Sequence, residues 1–455
     1  MCLTGFSLAY GMHKSDSGID LQTASKYELP SSCVGRFDVL FGLAAILAVF
    51  FVLRLKTSMD NAELAFLIVL GNAITIGGIE MFRAPWRRMP PSAEPYARVA
   101  CRAGVKFAGF LVCLGAIIFL YWVFPEYRRP FYRPFFKMLH LLLPWFVPIS
   151  AIYFLVAEWR IPEKEDGSWH ARLDVLGWWR KIDFNTLRHH VLGWLVKAYF
   201  LPLMFCGLTS HLSHIRLVSL NLLHLPFIRI YSLLFTSLAV VEMSFVTAGY
   251  FFSCRLFNSQ VRSVENTLFG WFICLICYRP FSAAKSHYLN YRSGGKWDVW
   301  LAGHEYLAIL WGSAIILLVV VYTWSTVSFG VRFSNLTNRG IITKGAFRFC
   351  KHPAYVAKNI WWWMAAVPFA ATTWSEASRL CLLACCVNTI YVLRAFTEER
   401  LLSQDPTYVE YGLWMDRHGI FRWVGQIFPW FKYEYRLKRW LKRGDVKILP
   451  RSYFQ

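Results

Sequence analysis

The sequence predicts an all-α, polytopic integral membrane bundle of roughly ten hydrophobic helices. Three observations predict it. Hydrophobic residues make up 56% of the 455-residue chain and charged residues only 17%, the balance of a multi-span protein rather than a soluble one. Apolar stretches fit for a span of about 20 residues begin near Val39, Ala62, Val105, Leu139, Val191, Ile228, Leu268, Leu301, Val356 and Leu380. Prolines, glycines and charges gather between those stretches and punctuate them.

Taken in order, residues 1 to about 36 are polar and are expected to cover a membrane face. Met1–Leu29 lacks a basic start followed by an apolar run, so no cleavable signal peptide is read there, and the first span is expected to direct insertion. Two helices follow, broken by the arginine- and proline-bearing loop Arg83–Pro91. A second hairpin covers Val105 to Val156, broken at Pro125–Pro134. The longest hydrophilic stretch, Glu158–His190, reads as a structured extramembrane loop. A third apolar group runs from Val191 to Cys254, Lys285–Trp300 is a break, and a long apolar helix spans Leu301 to about Thr326. This organisation suggests a transmembrane region over residues 1–255, for an acceptor cavity or a scaffold, and a second region over 256–455.

The chain carries 49 basic against 27 acidic residues, a net charge of +22. The cations sit beside apolar segments, so they read as orientation signals and contacts with anionic lipid headgroups, not as a nucleic-acid surface. The run Arg436-Leu-Lys438-Arg439-Trp-Leu-Lys442-Arg443 is the strongest, and it favours a cytosolic C-terminus with Trp440 in the interface. The twelve cysteines form no disulfide framework. Cys274 and Cys277 have CxxC spacing inside an apolar run and no second CxxC, so they read as small buried side chains. His211 and His214 lack an acidic partner, and no metal site is read. Asn335-Leu-Thr337 matches a glycosylation sequon but leads into the region described next, and is discounted.

Two polar clusters flank the apolar stretch Val356–Leu393. The first is Gly345–Tyr355, containing Lys351, His352 and Pro353; the second is Arg394–Arg400, containing Glu398 and Glu399. Pro353 suits a first helical turn, where its missing N–H costs nothing. Positions 352, 355 and 359 then share one helical face, as do 388, 391, 395, 398 and 402. His352, Tyr355 and Asn359 therefore form one polar stripe, and Asn388, Tyr391 and Glu398 another, with Arg394 four residues before Glu398. Such groups are costly beside lipid, and their grouping at the ends of one hairpin marks a site.

The set resembles the isoprenylcysteine carboxyl methyltransferase and phospholipid methyltransferase superfamily. The matching residues are Gly345, Phe347, Lys351-His352-Pro353 and Tyr355, then Glu398-Glu399 with Leu402, then Tyr408 and Tyr411. The resemblance implies a membrane enzyme that uses S-adenosylmethionine, with the cofactor site on the hairpin open to the cytosol and a lipid or lipidated acceptor arriving from the membrane. It implies that Gly345, Lys351, His352, Pro353, Tyr355, Glu398 and Glu399 bind the cofactor, and that Glu398, Arg394 and His352 are the catalytic candidates. Lys351 stands where the family usually has arginine, keeping the charge without the planar fork. Ala357 stands where it usually has glycine. Glu242, within an apolar run, and His304, Glu305, Asn388 and Tyr391 are weaker candidates for the acceptor path. A sterol-reductase-like oxidoreductase using NADPH, and a transporter or scaffold without chemistry, are the alternatives.

Overall fold

The computed structural model describes residues 28–35, 37–54, 59–88, 90–161, 184–217 and 226–451. The expectations for Met1–Leu29 therefore lie almost wholly outside the described residues, as does the middle of the Glu158–His190 stretch. Fifteen α-helices occur among the described residues: α1 Asp38–Arg54, α2 Asn61–Arg83, α3 Tyr96–Val123, α4 Arg133–Arg160, α5 Phe184–Leu217, α6 Phe227–Phe251, α7 Leu268–Leu275, α8 Ser282–Tyr288, α9 Trp297–Trp300, α10 Glu305–Val327, α11 Pro353–Ala366, α12 Trp374–Leu402, α13 Pro406–His418, α14 Arg422–Ile427 and α15 Tyr433–Arg443. The strands described are two residues each, with Ser263 opposite Asn338 and Val264 opposite Thr337, antiparallel.

Seven of these helices are long and apolar enough to cross a membrane: α2, α3, α4 with the turn before it, most of α5, α6, α10 and α12. Pro144 and Pro148 inside α4 and Pro202 inside α5 are accommodated without ending either helix, as membrane helices allow where neighbours re-satisfy the backbone. Three other expected spans are shorter. The apolar part of α1 is Asp38–Phe51. α11 has 14 residues. α7 stops after eight, where Ile276 leaves the helix, and residues 276–304 continue as short helices and turns. The loop expected from Glu158 to His190 begins later, because Glu158 lies inside α4 and is buried. Residues 184–190 open α5.

The described residues between 32 and 401 pack as one unit, and residues 402–451 belong to a second. In the larger unit a core of Ile68, Ile76, Leu208, Leu212 and Phe245 joins α2, α5 and α6. A second core, of Ile315, Val319, Trp297 and Val367, joins α10 to the closed end of the α11–α12 hairpin. The Trp361 ring of α11 meets Phe235 of α6 and Tyr322 of α10 edge-on at 5.5 and 5.7 Å. Helices before and after residue 255 thus share one interior. A buried ion pair, Arg332 Nη2 to Glu80 Oε2 at 2.6 Å, fixes the C-terminal end of α2 beside the turn that follows α10. α3 and α4 turn large apolar side chains outward, Trp122, Trp145, Ile149 and Ile152 among them, which suits a lipid-facing pair.

The smaller unit has its own centre. Asp405 caps α13 by accepting from the Thr407 N–H at 2.9 Å. Tyr433 of α15 is buried against Tyr408 and hydrogen-bonds Ser403 at 2.7 Å. A Cβ on Gly412 would come within 2.5 Å of the Tyr433 ring, so only glycine lets this ring lie on α13.

Candidate functional site: the open end of the hairpin

Pro353 opens α11 with His352 as its N-cap, and α12 returns to end at Leu402. The two polar stripes face each other across this hairpin. His352 Nε2 lies 3.1 Å from Glu399 Oε1, and its Nδ1 lies 3.9 Å from Glu398 Oε2. The Tyr355 hydroxyl donates to Glu398 Oε1, and the His352 and Tyr355 rings stack with centroids 5.5 Å apart and planes 2° apart. Tyr355 also meets Tyr391 edge-on at 5.5 Å. One turn deeper, Asn359 donates to the Tyr355 carbonyl at 2.9 Å. With its amide oriented to satisfy both ends, Asn388 donates to Asn359 Oδ1 at 3.0 Å and accepts from Trp363 Nε1 at 2.9 Å.

The two glutamates differ. The Glu399 side chain is 2% exposed and lies within 3.4 Å of Lys351 Nζ as well as near His352. Lys351 balances its charge internally, and His352 lies at hydrogen-bond distance. Glu398 is 27% exposed. Arg394 holds it through Nε at 3.2 Å, while Arg394 Nη2 donates to Asn335 Oδ1 at 2.5 Å and to the Tyr278 hydroxyl at 3.3 Å. The guanidinium sits 5.3 Å from the Tyr278 ring centroid and 5.2 Å from that of Tyr355. Asn335 is locked in turn, since its backbone N–H and Nδ2 both donate to the Tyr250 hydroxyl at 2.8 Å. A planar fork with several donors can do this and an ammonium cannot. The network commits the sequon amide of Asn335 to the interior.

Gly345 lies in the turn below, at φ +64°. A Cβ there would meet Ser328 Oγ at 2.9 Å, so glycine is required by both conformation and space. Beside it, burial pushes the Cys350 thiol up to about 11.

Glu242, on α6, accepts from the Tyr322 hydroxyl at 2.5 Å. Lys358 of α11 sits one turn deeper than Tyr355. Its Nζ lies 5.2 Å from the Tyr322 ring centroid, 5.3 Å from Trp362 and 5.7 Å from Tyr391. Glu242 acts on the same ammonium electrostatically. Lys285 and Arg292, from the irregular segment after α7, lie over Trp362 at 5.6 and 5.7 Å. Non-helical backbone at membrane depth is tolerated where it is covered by protein or lines a polar cavity.

The structure thus brings together Lys351, His352, Pro353, Tyr355, Asn388, Tyr391, Arg394, Glu398 and Glu399, with Gly345 in the adjoining turn and Glu242 at the deeper aromatic layer. His304 and Glu305 stand apart. They are exposed at the first turn of α10, about 34 Å along that 23-residue helix from the Ser328 end that Gly345 packs against. Tyr278, Asn335, Tyr250 and Lys358 are the participants that sequence reasoning missed. The first three lie in segments distant in sequence, with nothing local to mark them. Lys358 carried a signal, as a cation three residues after Tyr355 on the same face.

No curated relative and no solved structure matches the chain. Over α10, the hairpin and two residues beyond, at residues 307–404, the chain matches the profile of the isoprenylcysteine carboxyl methyltransferase (ICMT) family, and this C-terminal part is similar to that family of membrane methyltransferases.

Proposed function

We propose that the protein is an integral membrane methyltransferase that uses S-adenosylmethionine and acts on a lipid or lipidated acceptor at the cytosolic face. The observation that carries this reading is the unequal glutamate pair at the hairpin's open end. Glu399 is buried and paired with Lys351 and His352, whereas Glu398 is held by Arg394 yet keeps an accessible edge. The donor set fits the cofactor's charges. Glu398 is the carboxylate for its ammonium or ribose hydroxyls, Lys351 is the cation and His352 a ring N–H donor for its carboxylate, and the Tyr355 and Tyr391 rings supply π-density near a cationic sulfur. Bound there, S-adenosylmethionine would supply an electrophilic methyl group.

The chain's own residues then have positional tasks. Arg394, tied to Asn335 and Tyr278, fixes the rotamer of Glu398. Stacking and Glu399 fix the His352 ring. Such fixing supplies the near-attack geometry on which methyl transfer depends, and the Trp362, Tyr391 and Tyr322 layer keeps water from the deeper side. Lys358 in that layer meets the acceptor's polar head one turn before Tyr355 does. A carboxylate or phosphate head pairs with this cation and needs no base. An amine head must lose a proton first, and Glu398 is the base within the cluster. The N-terminal region, through Glu242 on α6, forms the far wall of this path.

Incubation of the purified protein with methyl-labelled S-adenosylmethionine and a membrane lipid extract tests the reading. Label in the lipid fraction, lost in His352→Ala and Glu398→Ala, supports it. Binding of NADPH without S-adenosylmethionine would move the protein to the reductase class.

A further inference from the structure

The unit of residues 402–451 has a closed core, yet one side of it is apolar and uncovered. Tyr408, Tyr411, Met415, Tyr433 and Leu437 are buried within it. Ile420, Phe421, Trp423, Ile427, Trp430 and Tyr435, all within sixteen consecutive residues, are 41–61% exposed. Helix α14 and the turn after it turn these side chains outward, held by hydrogen bonds from the Glu434 N–H to Asp416 at 2.8 Å and from Arg436 to the Trp430 carbonyl at 2.7 Å. The patch is therefore a fixed surface. Around it stand exposed cations, among them Arg417, Arg422, Lys438, Lys442 and Arg443. From Arg417 to Lys447 there are nine basic residues against two acidic ones.

We propose that this unit is an interfacial membrane module, in which the Ile420–Tyr435 patch enters the headgroup layer and the surrounding lysines and arginines hold anionic phospholipid. The composition fits no other site as well. Tryptophan and tyrosine favour the boundary between headgroups and acyl chains, and each lysine or arginine near an anionic leaflet adds electrostatic attraction. The unit starts at Leu402, the last residue of helix α12, so it follows directly in sequence on a helix long and apolar enough to span. Charge argues against the other occupants. Residues 1–31 carry two lysines and three acids, a net of one negative charge that leaves the nine cations almost unbalanced, and a second copy would bring nine cations against nine.

The inference stands apart from the proposed methyl transfer, and its test uses no substrate. Full-length protein is reconstituted into vesicles of phosphatidylcholine, alone or with phosphatidylglycerol, each containing a lipid photoactivatable on its acyl chain. Cross-linked peptides are mapped by mass spectrometry, with the spanning helices as internal control. The expected result is labelling of Ile420–Tyr435, about three-fold or more stronger with phosphatidylglycerol, as expected for cation attraction. Replacing Lys438, Lys442 and Arg443 by glutamate returns it to the phosphatidylcholine level while labelling of the spans is unchanged. Labelled spans with an unlabelled patch in both lipids would overturn the proposal. So would cross-links from the patch to residues 1–31 or to a second copy.

Discussion

Two of the charged clusters among the described residues, one on α3–α4 and one on the α11–α12 hairpin, solve the same problem differently. In the α3–α4 pair, Glu158 is 4% exposed and faces two cations: Lys106, and Arg102 through Nε at 3.4 Å, which also reaches Glu94 at 2.9 Å. At the hairpin, Arg394 and His352 frame Glu398, which stays 27% exposed and is ringed by Tyr355 and Tyr391. Buried charge alone therefore does not mark a functional site. The first cluster is almost wholly buried and ties α3 to α4. The second holds a carboxylate in place without using it up. Removing a partner should cost stability in the first and ligand affinity in the second.

The largest effect is expected at Glu158→Gln, which leaves two cations facing a neutral group. Breaking a buried pair in this way costs about 3 kcal/mol, read as a lowered unfolding temperature in detergent or nanodiscs. Affinity for S-adenosylmethionine in the folded fraction stays unchanged; a large loss of affinity there would dissolve the distinction. Arg394→Lys acts the other way. Lysine cannot hold Glu398 and Asn335 at once, so affinity for the methyl donor falls about ten-fold, while stability changes less than in Glu158→Gln. Isothermal titration alongside thermal unfolding separates the two.

Gly345→Ala places a side chain at φ +64° and against Ser328. A cost of about 1–2 kcal/mol is expected, and because the strained turn adjoins Lys351 it appears partly as weaker donor binding. The smallest effect concerns Cys350, beside Lys351 in sequence. With its thiol pushed up to about 11, it holds roughly 100-fold less thiolate near neutral pH than an unperturbed thiol. Its alkylation should lag in peptide-resolved labelling and rise as pH climbs toward 11. Rapid labelling at pH 8 would show that the loop below the hairpin is open to solvent.

The hairpin was legible in the sequence because its chemistry is periodic and local. His352 and Tyr355 fall three apart, Tyr391, Arg394 and Glu398 at steps of three and four, and the helical rule put each set on one face before the structure joined them. The seven long spans were legible for the same reason, since length and apolarity act residue by residue. What composition could not supply was partnership. Leu268–Tyr278 is as apolar as a span, yet α7 ends at Leu275 and the chain breaks into turns that present Tyr278 to Arg394. Glu158 sits among charges and reads as loop, yet two cations draw it into α4. Asn335 is rightly discounted as a sequon, but its role as the group that Tyr250 and Arg394 hold inside leaves no local mark. Each error came from a contact between residues far apart in sequence, which no window along the chain contains.

The claim that the open end of the hairpin is the methyl-donor site rests most directly on Glu398. Equilibrium titration of the purified protein with labelled S-adenosylmethionine, for the native chain and for Glu398→Gln, tests it. The account predicts saturable binding to the native protein and a dissociation constant raised about 30- to 100-fold in the variant, the cost of removing one partner of a charge contact, with the unfolding temperature lowered less than in Glu158→Gln because Arg394 keeps Asn335 and Tyr278. No saturable binding to the native protein, or equal affinity in the two, would contradict it.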